Sequence, residues 1–106
     1  MSIKLRMNDG LLYTLHDYVP LDPGVWATLD SANYRINLRE HPDERTRAHS
    51  VLHECGHKAM DDLLRLVGLN DAQVEVFNTA ATDNLFSILY HAGWLKIPPA
   101  PPKPEE

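Results

Sequence analysis

The chain has 106 residues and a mass of 12.0 kDa, one domain's worth. A hydrophobic fraction of 43% excludes a disordered chain, and a net charge of −5 without a basic excess excludes a dedicated binder of nucleic acid or of an anionic membrane surface. No stretch approaches the roughly 18 consecutive apolar residues of a membrane span, residues 1–20 carry charges throughout with no signal-peptide core, and the single Cys55 excludes a disulfide scaffold, so the expected setting is cytoplasmic.

The first third reads as strand and turn. Ile3, Leu5 and Met7 alternate with Lys4 and Arg6, the period of a half-buried strand. Asn8-Asp9-Gly10 is turn chemistry, after which Leu11, Tyr13 and Leu15 resume the alternation. Residues 17–25 hold two prolines and a glycine and read as loop. Trp26–Leu29 and Tyr34–Arg39 then read as a hairpin around Asp30-Ser31-Ala32-Asn33. Tyr34, Ile36 and Leu38 share its core face, with Arg35, Asn37 and Arg39 on the wet one.

From His41 the period changes to 3.6. Pro42 suits the first helical position, and Asp43 and Glu44 suit the positive end of the dipole. The pattern runs to Val67, with Gly68 as the natural stop. Ala48, Leu52, Cys55, Ala59, Leu63, Leu66 and Val67 form its apolar stripe. Asn70 and Gln73 form a capping box for a second helix that ends at Gly93. Its expected buried face is Val74, Phe77, Ala81, Leu85, Ile88 and Ala92. Residues 1–96 thus make one domain, and residues 97–106, with five of the eight prolines, read as a flexible tail without a core role.

The six histidines equal the glutamates in number, and two of them form a motif. Residues 53–57, His-Glu-Cys-Gly-His, match H-E-x-x-H inside the strongest predicted helix. Positions i and i+4 share a helix face with β-carbons about 6 Å apart. Two imidazoles so placed converge on a tetrahedral Zn²⁺ at about 2.0–2.1 Å. Glu54 projects beside them to take a proton from a water that the metal activates. The alternative is a solvent-facing turn with two unrelated histidines, but His53 and His57 flank the apolar stripe, where a cleft beside a core opens.

A third ligand must come from elsewhere. Glu75 lies one turn into the second helix, across a short connection that sets the helices antiparallel. His57 lies about two turns before the end of the first helix, so the heights roughly match. Glu75 borders the expected apolar face together with Asn78, Thr82 and Leu89. It is either a ligand or a rim carboxylate paired with a surface arginine or lysine. Asp61, four residues after His57, would ligate or, better, hydrogen-bond an imidazole and set its tautomer. His49 would contact substrate or stand exposed. Tyr34 and His49 are the candidates for stabilising an oxyanion. His16, His41 and His91 read as incidental, Cys55 as a small buried hydrophobe, Trp26 and Trp94 as core or edge-of-core aromatics, and Arg45/Arg47 and Asp61/Asp62 as solvated faces.

The order of features is similar to a known family. TLDSANYRINLRE, then AHSVLHECGHKAMDDL, then DAQVEVFNTAATDNL resembles the small zinc metallopeptidase-like proteins of the ImmA/IrrE type, especially compact phage-borne members, over roughly residues 20 to 92. The resemblance implies zinc ligands at His53 and His57, a general base at Glu54 and a carboxylate ligand at Glu75. It also implies hydrolysis of a peptide bond in a protein substrate, in a bacterial or phage-infected cytoplasm. The expected fold is α+β, a minimal zincin: a small antiparallel sheet packed on two helices. The alternative function is a non-catalytic, zinc-stabilised protein-interaction module, whose metal would be closed by a fourth protein ligand, Asp61 or His49.

Overall fold

The computed structural model describes residues 3–7 and 9–104. Asn8 of the expected first turn and Glu105 and Glu106 of the expected tail lie outside the described residues. The fold is α+β, with strands β1 (Ile3–Arg6), β2 (Leu12–His16), β3 (Ala27–Asp30) and β4 (Arg35–Leu38) and helices α1 (Glu44–Leu66) and α2 (Asp71–His91).

The sheet is mixed, which corrects the antiparallel expectation. Its order is β1-β2-β4-β3. β1 and β2 form the antiparallel hairpin, Ile3 opposite Leu15, and β3 and β4 form the other, Ala27 opposite Leu38. The hairpins join through β2 and β4, which run parallel with Thr14 opposite Arg35 and His16 opposite Asn37. After β2 the chain swings outward to lay down β3 as an edge, and β4 returns beside β2. Alternation identifies strands but is silent about which hairpin arms meet.

Two side-chain placements in this half differ from expectation. Asp30 accepts from the Asn33 backbone N–H at 3.2 Å and its amide at 2.8 Å, and Tyr34 takes a left-handed φ of 53°. Tyr34 is therefore exposed, edge-on to Tyr13 at 5.7 Å, rather than facing the core with Ile36 and Leu38. Trp26 is 48% exposed and stands just ahead of β3.

The main core lies between the sheet and α1: Met7, Tyr13, Leu15, Ile36 and Leu38 pack with Val51, and Cys55 lies against them. α1 begins at an Asp43 cap that accepts from the Thr46 N–H at 2.8 Å, so Pro42 stands ahead of the cap. It ends where Gly68, at φ +100°, lets Leu69 N–H reach the Leu64 carbonyl at 3.0 Å. The Asn70–Gln73 capping box opens α2, each partner donating or accepting at 2.9 Å.

Both helix faces are rotated from the expected ones. On α1, Leu63, Leu66 and Val67 are exposed, and the buried residues are Arg47, Ala48, Val51, Glu54, Gly56 and Leu64. On α2, Phe77, Leu85 and Ile88 are exposed, whereas Val74, Asn78, Thr82 and Phe86 are buried. The cause is layering. Among the described residues α2 packs on α1 and not on the sheet, so α1 is covered on two sides and a single apolar stripe describes neither.

The α1–α2 seam is close because Gly56 has no side chain. A β-carbon there would lie 2.2 Å from Asn78 Oδ1 and 2.6 Å from Thr82 Cγ2. Asn78 is fully buried, and its amide donates to the His53 carbonyl at 3.1 Å.

Arg47 and the C-terminal segment also depart from expectation. Arg47 is 2% exposed, paired through Nε with Asp17 Oδ1 at 2.7 Å and through Nη2 with Oδ2 at 2.9 Å. Its Nη1 donates to the Pro98 carbonyl at 2.6 Å. Ile97 packs against the core, Tyr18 Oη donates to the Pro101 carbonyl, and Lys103 pairs with Glu40 at 3.0 Å. The segment is strapped down because proline-rich backbone is stiff before it docks and offers carbonyls with no helix or sheet partner.

Gly56→Ala is expected to destabilise the fold. Alanine adds about 1 kcal/mol of helix propensity, but a methyl group at the seam meets side chains that cannot retreat, and overpacking costs roughly 1–3 kcal/mol or more. Urea unfolding of the metal-free protein should show a net loss of about 2 kcal/mol; equal or greater stability in the variant would contradict so tight a seam.

Candidate metal centre

The i, i+4 spacing places His53 and His57 on the face of α1 that looks toward the start of α2. Their Nε2 atoms lie 3.2 Å apart. Glu75, on the first turns of α2, puts Oε1 3.2 Å from His53 Nε2 and Oε2 2.9 Å from His57 Nε2. A tetrahedral ion with bonds of about 2.0–2.1 Å has ligand atoms about 3.3 Å apart, so these separations are close to those of three corners of such a site. Among the described residues this is the group of ligand atoms spaced to hold a metal, and it has three members.

Asp61 bears on which atoms are free. Both of its carboxylate oxygens lie 3.0 Å from His57 Nδ1, which donates to them. With the proton on Nδ1, His57 Nε2 presents a lone pair to the His53 nitrogen and the Glu75 carboxylate. Lone pairs facing one another at these distances call for a cation or a proton. The donor set, two imidazoles and a carboxylate, suits zinc. Asp61 is turned to the far side of the ring and does not face the three converging atoms.

Glu54 follows His53 in sequence but supplies none of the three converging ligand atoms. It is 8% exposed and lines the same cleft as His53, His57 and Glu75. In the metal-free protein, burial pushes its carboxyl up to about 7; the neighbouring His57 pulls it down, and Glu75 and Asp61 push it further up. A carboxylate held near neutrality is suited to accept and return a proton. Burial also holds the His53 imidazole below its ordinary value, helped by His57 and opposed by Glu75. Burial raises the Cys55 thiol to about 11, so it stays protonated and lies on the core side of α1.

The cleft has a volume of about 440 Å³ and is walled on its far side by Gly24, Val25, Trp26 and Ala27. This wall runs into β3, whose outer edge pairs with no strand among the described residues, since β3 stands at the end of the sheet beside β4. Tyr34 does not reach the cleft: it follows the turn at the opposite end of β3, so it is no candidate for an oxyanion here. His49 lines the cleft, with Nε2 2.6 Å from Asp83 Oδ1 and its ring edge-on to Phe86 at 4.9 Å. His91 is exposed at the far end of α2.

His41, which reads as incidental, and Trp26, which reads as a core or edge-of-core aromatic, shape the site together with Ser50. His41 is half-buried, accepts or donates at Ser50 Oγ over 2.8 Å, and bonds the Arg39 carbonyl through Nδ1 at 2.6 Å. Trp26 leans on His41 at 5.2 Å and lines the cleft, and Ser50 stands one turn before His53. Nothing in the spacing of His41 or Trp26 marks them, since both act across the fold.

No family model, curated protein or solved structure matches this chain. No helix among the described residues is long and apolar enough to cross a membrane.

Burial holds the His41 imidazole below 6.5, with Arg47 acting in the same direction and the Arg39 carbonyl opposing. The folded state therefore resists protonation more than the unfolded chain does. The contribution is complete above about pH 6.5 and drains as pH falls through that value toward the folded pKa. With chelator present, the wild type should lose more thermal stability than His41→Asn between about pH 7.5 and 5.5; parallel profiles would count against the buried neutral ring.

Proposed function

We propose that the chain is a zinc-dependent hydrolase that cleaves a peptide bond in a protein substrate. The observation that carries this reading is the convergence of His53 Nε2, His57 Nε2 and Glu75 at 2.9–3.2 Å beside a buried Glu54. Bound zinc would supply a Lewis acid for a carbonyl oxygen and lower the pKa of a water. His57 is held in the binding tautomer by Asp61, and Glu75 closes the set from the other helix. Glu54 takes the proton from the attacking water and delivers it to the leaving amine. The free edge of β3 pairs with the backbone of an extended substrate and lays it across the cleft.

One observation favours a second reading, a non-catalytic zinc-stabilised interaction module. Leu63, Leu66, Val67, Val76 and Phe77 are all exposed where α1 ends and α2 begins, an apolar surface suited to a protein partner. The donor set weighs against it, because a structural zinc is closed by a fourth protein ligand and the group here has three members among the described residues. Asp61 and His49, the expected fourth ligands, are engaged with His57 and Asp83.

Purified protein should carry one zinc per chain by elemental analysis, and His57→Ala should lose it. Glu54→Gln should keep the zinc and lose about 10²–10⁴-fold in hydrolysis of a random peptide library. Absence of zinc from metal-replete protein, or undiminished hydrolysis by Glu54→Gln, would sink the hydrolase reading.

A further inference from the structure

Next to the metal cleft lies a second one of about 510 Å³, between the first two turns of α1 and the latter half of α2. Trp26, His49 and Ser50 line both, so the two form one continuous groove. The aromatic lining of the second cleft is the exposed Trp26 and the buried Phe86. Its polar lining includes Arg45 and Asp83.

Arg45 differs from the other arginines. Arg6, Arg35, Arg39, Arg47 and Arg65 each donate to a named oxygen. The Arg45 side chain makes no hydrogen bond or ion pair among the described residues, and its charge acts at longer range on the Asp43 carboxylate. Its guanidinium instead rests on the rings of Phe86 at 5.4 Å and Tyr90 at 5.7 Å, which stack on each other at 5.1 Å. Aromatic faces orient the cation and leave its N–H edge unspent, an arrangement matched to a planar carboxylate. Asp83, the one carboxylate in the lining, is engaged by His49 at 2.6 Å.

We infer that this cleft is a specificity subsite for a carboxylate of the substrate: an acidic side chain, glutamate above aspartate, bound by Arg45 with its methylenes along the exposed Trp26. This inference rests on the hydrolase reading for the direction of the groove. Arg45 precedes His53 by eight residues, about 12 Å of helix. An extended chain covers that length in three or four residues at about 3.3 Å each. The acidic residue therefore sits three or four positions from the bond that is cut. A chain-terminal carboxylate at that distance would offer the same chemistry.

The test uses a random decapeptide library in two forms, with free and with amidated C-termini. Cuts by the zinc-loaded wild type are mapped by mass spectrometry, and peptides captured by zinc-loaded Glu54→Gln are sequenced. The expected result is a preference of about fivefold for Glu over Gln at one position, the size of a partly exposed charge-assisted contact. It should persist in amidated peptides and fall below about twofold in Arg45→Gln, with partial recovery in Arg45→Lys. A preference confined to free-acid peptides and dependent on Arg45 assigns the carboxylate to the chain terminus. Captured peptides with an Arg45-dependent acidic preference but no cuts support the subsite while refuting hydrolysis. No acidic preference in cuts or capture, or one unchanged in Arg45→Gln, overturns the inference.

Discussion

Asn78 reaches across from α2 and donates to the carbonyl of His53, and it can do so only because the facing residue on α1 is Gly56. That contact brings the two helices close at the height of the motif. Glu75 lies one turn before Asn78, so the same seam that seats the amide hangs the carboxylate over both imidazoles. A wider seam would leave His53 and His57 as two histidines on a helix face. The third corner of the donor set is thus a property of helix packing, and the buried Asn78 Oδ1, which lacks a hydrogen-bond partner among the described residues, marks how little room the packing leaves.

Much of the site was legible because its parts are local. His53, Glu54, His57 and Asp61 sit within nine residues of one helix, and helical geometry alone says which share a face. Glu75 was within reach because a connection of a few residues limits where a following helix begins. The caps at Gly68, Asn70 and Gly93 were legible for the same reason, each depending on backbone conformation within one turn. α+β architecture followed from the change of period at His41.

What was not legible depends on partners far away in sequence. The apolar stripes failed because burial on α2 follows Val74, Asn78, Thr82 and Phe86, a face half polar, while Phe77, Leu85 and Ile88 are left outside. Hydrophobicity was therefore a poor guide to which side of α2 meets α1. Arg47 looked like a solvated charge, since its carboxylate partner is Asp17, 30 residues earlier, and its carbonyl partner is Pro98, 51 residues later. The strapped C-terminal segment was hidden in the same way: composition reports that proline stiffens a chain, not what the stiff chain lies on. The parallel pairing of β2 with β4 likewise depends on a meeting of hairpins that neither encodes by itself.

The helical hairpin from Glu44 to His91 carries all three converging ligand atoms and Glu54, whereas the opposite wall of the cleft comes from Gly24 to Ala27 in the other half of the chain. Chemistry and shape are thereby divided between two structural modules. Changes in length or sequence in the loop ahead of β3 would alter what passes over the centre without disturbing the atoms that form it. Such a division would let a small scaffold diversify its recognition while the proposed metal centre stays the same.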